Sequence, residues 1–201
     1  MTSYDFNEVE DKLVKYVEQI GDTVQQRDIR SENTEEAKDV LFIRIDHGSN
    51  SLILLSREGE RWFSIRFDYR LRNDLVRTNI SEDEVDGPYV ELNEEILVEA
   101  QEELESILKD IGDEEASKLK SKLIQLISNP EVSYEVHYED NTPIRFEVTR
   151  KIFPYEENFG IREFYEGIQA VISSGIPGRL LMQNYFGFKV NEEEGLVKRE
   201  E

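Results

Sequence analysis

The sequence predicts an α+β fold: a mainly antiparallel sheet of about five strands with helices packed around it, in the order α-β-β-β-α-β-β-α. Three observations carry that expectation. Apolar residues recur at steps of three and four near both ends and in the middle of the chain. Apolar and polar residues alternate strictly over Trp62–Arg72, and turn-forming clusters separate short β-rich runs on either side of the middle helical stretch. With 201 residues the chain can bury a core unaided, and its lack of cysteine excludes a disulfide scaffold, thiolate metal sites and a cysteine nucleophile. We expect one α+β domain over residues 1–190 and a charged, frayed tail over 191–201.

Taken in order, Phe6, Val9, Leu13, Tyr16, Val17 and Ile20 form one stripe of an amphipathic helix, with Asp5 and Glu8 suited to its start and Gly21 to its end. Residues 22–38 are polar without a clear period and read as a loop containing a short extended piece at Thr23–Ile29. Val40–Ile45 and Ser51–Ser56 are β-rich runs joined by a turn at His47–Asn50. After Glu58-Gly59-Glu60, the stretch Trp62–Arg72 directs Phe63, Ile65, Phe67, Tyr69 and Leu71 one way, and Trp62, Ser64, Arg66, Asp68, Arg70 and Arg72 the other. Residues 79–92 are acidic and loop-like. Ile96, Leu97, Ala100, Leu104, Ile107, Leu108 and Ile111 then give the strongest helical stripe, continued by Ala116, Leu119, Leu123, Leu126 and Ile127 up to Pro130. One long helix and a pair broken at Gly112 fit equally. Val132–Tyr138 and Ile144–Ile152 alternate about a turn at Glu139–Pro143, and the chain closes with helical material broken at Gly175-Ile176-Pro177-Gly178.

The charge is the strongest constraint on function. Lys and Arg number 24 against 45 Asp and Glu, a net of −21 at pH 7. Such a chain repels nucleic acid and anionic lipid at long range, because binding to phosphates relies on clustered bases that release counterions. No stretch is apolar enough to span a bilayer, and the first residues lack the basic and apolar regions of a secretory signal, so we expect a cytoplasmic protein. Both a high-salt cytoplasm and an ordinary acidic protein would account for the carboxylates.

That charge is unevenly placed. Residues 41–79 hold seven arginines against five acids, while residues 82–115 hold fifteen acids against one lysine. Trp62, Arg66, Arg70 and Arg72 share one predicted strand face, and Arg44 lies in the first of the three predicted β-runs. These arginines either neutralise the protein's own acids or form a partner surface of the aromatic and Arg kind that anchors protein interfaces.

Chemical motifs are sparse. Neither His47, in a hairpin turn, nor His137, between Glu135 and Glu139, has the helical i, i+4 partner of a zinc site. No Gly-x-Ser-x-Gly elbow is present. Ser173–Arg179 has the glycines of a phosphate loop but lacks its Gly-Lys ending and follows a helix, which points to a break between helices.

The series Leu41–Ile45, Ser51–Ser56 and Trp62–Leu71, then the long helix, then Val132–Tyr138 and Ile144–Ile152, resembles the type III secretion chaperone-like fold, which includes effector chaperones and the YbjN-like family. The resemblance implies a homodimeric module that binds other polypeptides, with no cofactor and no chemistry of its own. Two other functions stay open: a small-molecule-binding protein or enzyme built on an Arg and carboxylate cleft, and an acidic mimic of nucleic acid.

Overall fold

The computed structural model describes residues 6–31, 39–48, 50–78, 94–191 and 196–199. Five α-helices and eight strands occur in the described residues: α1 (Phe6–Gln19), β1 (Thr23–Ser31), β2 (Asp39–His47), β3 (Asn50–Arg57), β4 (Phe63–Arg70), α2 (Leu71–Thr78), α3 (Glu94–Lys109), α4 (Asp113–Ile127), β5 (Ser133–Glu139), β6 (Thr142–Ile152), α5 (Ile161–Tyr185), β7 (Phe188–Asn191) and β8 (Leu196–Arg199). The fold is α+β, with an antiparallel six-stranded sheet ordered β1-β2-β3-β4-β6-β5 and a two-stranded β7-β8 sheet. The chain divides into two compact units, one from Met1–Asp68, Asn129–Tyr134 and Val148–Gly175, the other from Tyr69–Ser128, Glu135–Glu147 and Ile176–Glu201.

In the first unit, α1 ends as its sequence predicts. The Asp22 N–H donates to the Val17 carbonyl and the Gly21 N–H to that of Glu18, with Gly21 at φ +88°, the Schellman closure that glycine makes without a Cβ penalty. Leu41, Ile43, Ile45, Leu52, Leu54, Phe63, Ile65 and Phe67 are buried on one sheet face, with Val9, Leu13 and Val17 of α1 and Phe164, Ile168 and Val171 of α5. The alternate residues Phe42, Arg44, Ile53, Leu55 and Arg66 are half-buried on the other face.

In the second unit, Leu71, Leu75, Ala100, Leu104, Leu108, Leu119, Leu123, Ile127, Phe146, Met182 and Phe186 are buried, and Tyr69 stacks on Phe146 at 5.4 Å between ring centroids. The β5-β6 turn falls where the sequence places it. Asp140 and Asn141 have φ of 45° and 64°, the two-residue hairpin turn whose twist matches that of the flanking strands.

The structure corrects three sequence expectations and decides one further point, the continuity of the middle helix, between the two alternatives the sequence leaves open. First, the piece at Thr23–Ile29 is the full edge strand β1, paired from Thr23↔Asp46 to Ser31↔Asp39 with a register shift at Val24/Gln26, which makes six strands rather than five. Its polar composition hid it, because an edge strand has little to bury. Second, β4 stops at Arg70 and α2 begins at Leu71. Leu71 continues the period-two alternation, yet it also starts the i, i+4 pair Leu71–Leu75, and both leucines are buried. Third, the middle stretch is two helices, with Gly112 extended (φ −77°, ψ 153°) just ahead of α4.

Fourth, α5 runs unbroken through Gly175, Pro177 and Gly178. Its glycines are close-approach positions. A Cβ at Gly175 would lie 2.6 Å from the Phe67 ring, and one at Gly178 would lie 2.7 Å from Ile127 and 2.8 Å from Phe146. Burial along this stretch outweighs the roughly 3 kcal/mol that an interior proline costs a helix. The Ser173–Arg179 segment is therefore helix, not a phosphate loop. Of the predicted tail, Asn191 belongs to β7 and residues 196–199 form β8, paired Phe188↔Arg199 to Asn191↔Leu196. The acidic stretch 79–92 lies outside the described residues.

Candidate functional site

The half-buried sheet face of the first unit carries two of the five predicted surface residues, Arg44 and Arg66. Arg44 of β2 pairs in register with Ile53 of β3, and Ile53 with Arg66 of β4, so the two arginines share a row on one face. Strand spacing sets them about 10 Å apart across Ile53. The Arg44 Nε donates to Ser51 Oγ at 2.7 Å and the Arg66 Nε to Ser64 Oγ at 3.0 Å. Each serine thus fixes one edge of a guanidinium. The next row is Phe42, Leu55 and Ser64, and the Ser64 hydroxyl donates to the Leu55 carbonyl at 3.2 Å. Trp62 precedes β4, with the Lys151 ammonium 3.9 Å from its ring centroid.

The other two predicted residues sit elsewhere. Arg70 is the exposed last residue of β4 and belongs to the second unit. Arg72 is on α2 and not on the strand face, because the strand ends two residues earlier.

Two clusters escaped the sequence reading. His47 Nδ1 lies 2.7 Å and 2.8 Å from the two carboxylate oxygens of Asp22, whose side chain is 6% exposed. This pair ties the turn after α1 to the end of β2, and recognising β1 as a strand would have exposed it, since Thr23 pairs with Asp46. His137 lies 3.5 Å from Glu135. Among the described residues no group of three His, Cys, Asp or Glu could hold a metal ion.

The second cluster lies in the second unit. Asp74 of α2 is buried, and its Oδ2 accepts from the Tyr69 hydroxyl at 2.8 Å and from Gln183 Nε2 of α5 at 3.1 Å. Burial raises the Asp74 pKa, opposed by these two hydrogen bonds and by the positive charges of Arg77 and Arg179. Burial, and next the Asp74 charge, push the Tyr69 phenol well above its ordinary value. The network joins β4, α2 and α5.

The second unit also has an open depression of about 330 Å³ lined by Ile107, Asp110, Ile111, Glu115, Tyr185 and Phe186. Tyr185 packs edge-on against Phe186 at 5.0 Å. Burial and the neighbouring Glu115 charge raise the Tyr185 pKa.

No model of a known protein family matches the sequence, and no curated protein matches it. Among solved structures, an uncharacterized protein from Methanothermobacter thermautotrophicus is similar, with a TM-score of 0.60 over 89% of this chain and 99% of that chain at 10% identity. A likeness at that identity is one of fold. No helix among the described residues is long and apolar enough to cross a membrane.

Proposed function

We propose that this protein is a non-enzymatic, chaperone-like polypeptide-binding module of the cytoplasm, acting as a homodimer, whose partner lies on the half-buried sheet face of the first unit. The observation that carries this reading is the row Arg44–Ile53–Arg66. Two guanidiniums, each steered by a serine hydroxyl, flank an apolar side chain beside Phe42 and Leu55. A partner carboxylate set beside an apolar side chain matches that pattern at Arg44, whose remaining Nη edge is shaped for a carboxylate. Among the described residues Arg44 has no acidic partner of its own. The resemblance in element order to effector chaperones supports the same reading.

The alternative of an Arg and carboxylate cleft also has an observation behind it, Asp74 near Arg77 and Arg179. There, however, Oδ2 is filled by donors from β4 and α5, which makes Asp74 a support of the fold. The test is differential capture. Wild type and an Arg44→Glu/Arg66→Glu variant of matched urea midpoint are immobilised and exposed to lysate of the native organism at its own ionic strength. A stoichiometric polypeptide retained by wild type and lost by the variant is the expected result. Identical retention by both proteins, or recovery of a small molecule in its place, refutes the reading.

A further inference from the structure

We propose that the depression formed by the end of α3, the start of α4 and the end of α5 receives a single lysine or arginine side chain of a basic polypeptide partner. The site lies wholly in the second unit and does not rest on the sheet-face reading. Its walls match the parts of such a side chain one by one. Ile107 and Ile111 are half-buried and offer apolar surface to the methylene stem. Tyr185 is 37% exposed, and its ring, backed by Phe186, offers a face to the cation. Asp110 and Glu115 contribute carboxylates to the same lining.

Neither carboxylate has a basic partner among the described residues, and the nearby Lys118 is taken up by Glu114 at 2.6 Å. Glu115 and Tyr185 line the same depression, and the Glu115 charge acts on the Tyr185 phenol. Residues 96–115 hold eight acids against one lysine, a charge that attracts basic partners. Electrostatic attraction alone would act at any acidic patch. The combination of apolar stem wall, ring and two unpaired carboxylates is what selects this one.

The experiment follows Ile107 and Ile111 methyl and Tyr185 ring resonances of the full chain while the blocked peptide acetyl-Gly-Arg-Gly-amide is titrated in at fixed ionic strength. Saturable shifts at all three residues are expected. Asp110→Asn with Glu115→Gln should weaken binding about fivefold, the sum of two exposed charge contacts. Tyr185→Leu should weaken it about threefold, the loss of an exposed cation–ring contact. The control pair Glu156→Gln/Glu157→Gln removes the same charge from exposed positions of the first unit. It should change the affinity less than about twofold, because screened charges outside the site contribute little. Replacing arginine in the peptide with neutral citrulline should abolish the shifts. Equal weakening by the control pair, equal binding of the citrulline peptide, or shifts that never saturate each overturn the proposal. Tyr185→Leu keeps every charge, so its result stands even if the double carboxylate variant loses its fold.

Discussion

Replacing Gly175 with alanine tests whether the glycines of α5 are packing positions. The added Cβ would sit 2.6 Å from both Cδ1 and Cγ of Phe67 and 3.0 Å from Cδ2. Carbon pairs prefer about 3.5–4.0 Å, so the ring or the helix must give by about 1 Å. Neither moves cheaply, because Phe67 is 4% exposed and its ring is rigid. Overpacking of this kind costs up to about 3 kcal/mol, against which alanine regains about 1 kcal/mol of helix propensity, leaving a net loss of about 2 kcal/mol. That corresponds to a fall in Tm of roughly 4–8 °C for a chain of this size. Urea unfolding at constant ionic strength reads the loss directly. Phe67→Leu removes the ring atoms in the way, so the double variant should be more stable than the sum of the single effects by at least about 1 kcal/mol. A Gly175→Ala protein as stable as wild type, or strictly additive effects, would refute the close-approach reading and restore the glycines as flexibility signals.

Three other perturbations have defined outcomes. Asp74→Ala should cost about 2 kcal/mol or more, because it leaves the Tyr69 and Gln183 donors buried without their acceptor. Asp74→Asn keeps an acceptor and reports on ionisation. The folded pKa of Asp74 is raised from 3.8, so its contribution to stability is fully present below that value and is lost as pH rises through the folded value. Wild type should therefore gain on Asp74→Asn as pH falls from 7 toward 4 in paired urea titrations, and a pH-independent difference would contradict the shift. Asp22→Asn and His47→Gln should couple by about 1 kcal/mol in a double-mutant cycle, given an Nδ1 to carboxylate distance of 2.7 Å. A net charge of −21 predicts that Tm rises from low to molar potassium chloride if the carboxylates are an adaptation to high salt, and a flat or falling Tm would count against that environment.

What the sequence revealed depended on where each element buries its side chains. Trp62–Arg72 was legible as a strand because β4 has one wholly buried face, and the period-two pattern records that asymmetry. β1 was not, since an edge strand exchanges backbone hydrogen bonds on one side only and its side chains bury little. The α5 break failed for another reason. Glycine and proline are read as chain punctuation from local energetics, whereas Gly175 and Gly178 answer to Phe67 and Ile127, more than forty residues away in sequence. Leu71 shows a third limit: one residue satisfied two periods at once, and only the burial of Leu75 distinguishes them.

The site divides along the same line. Strand parity places Arg66 on the polar face of its strand, but the row it shares with Arg44 is set by the β2-β3-β4 register, which the sequence leaves open. Arg72 failed because it lay past the residue where the period changes. The Asp22–His47 pair and the Asp74 network depend on long-range approach, 25 residues apart in one case and 109 in the other. In a chain with 45 acids, no composition signal distinguishes the few carboxylates that are desolvated from those that hold hydration. The −21 charge therefore cannot be assigned one role. Asp74 acts inside the core, Asp22 orients a histidine, and Asp110 and Glu115 stand on a concave wall without basic partners among the described residues. Of these three arrangements the last leaves its carboxylates open to a partner, and its ring and isoleucines give that partner a chemistry.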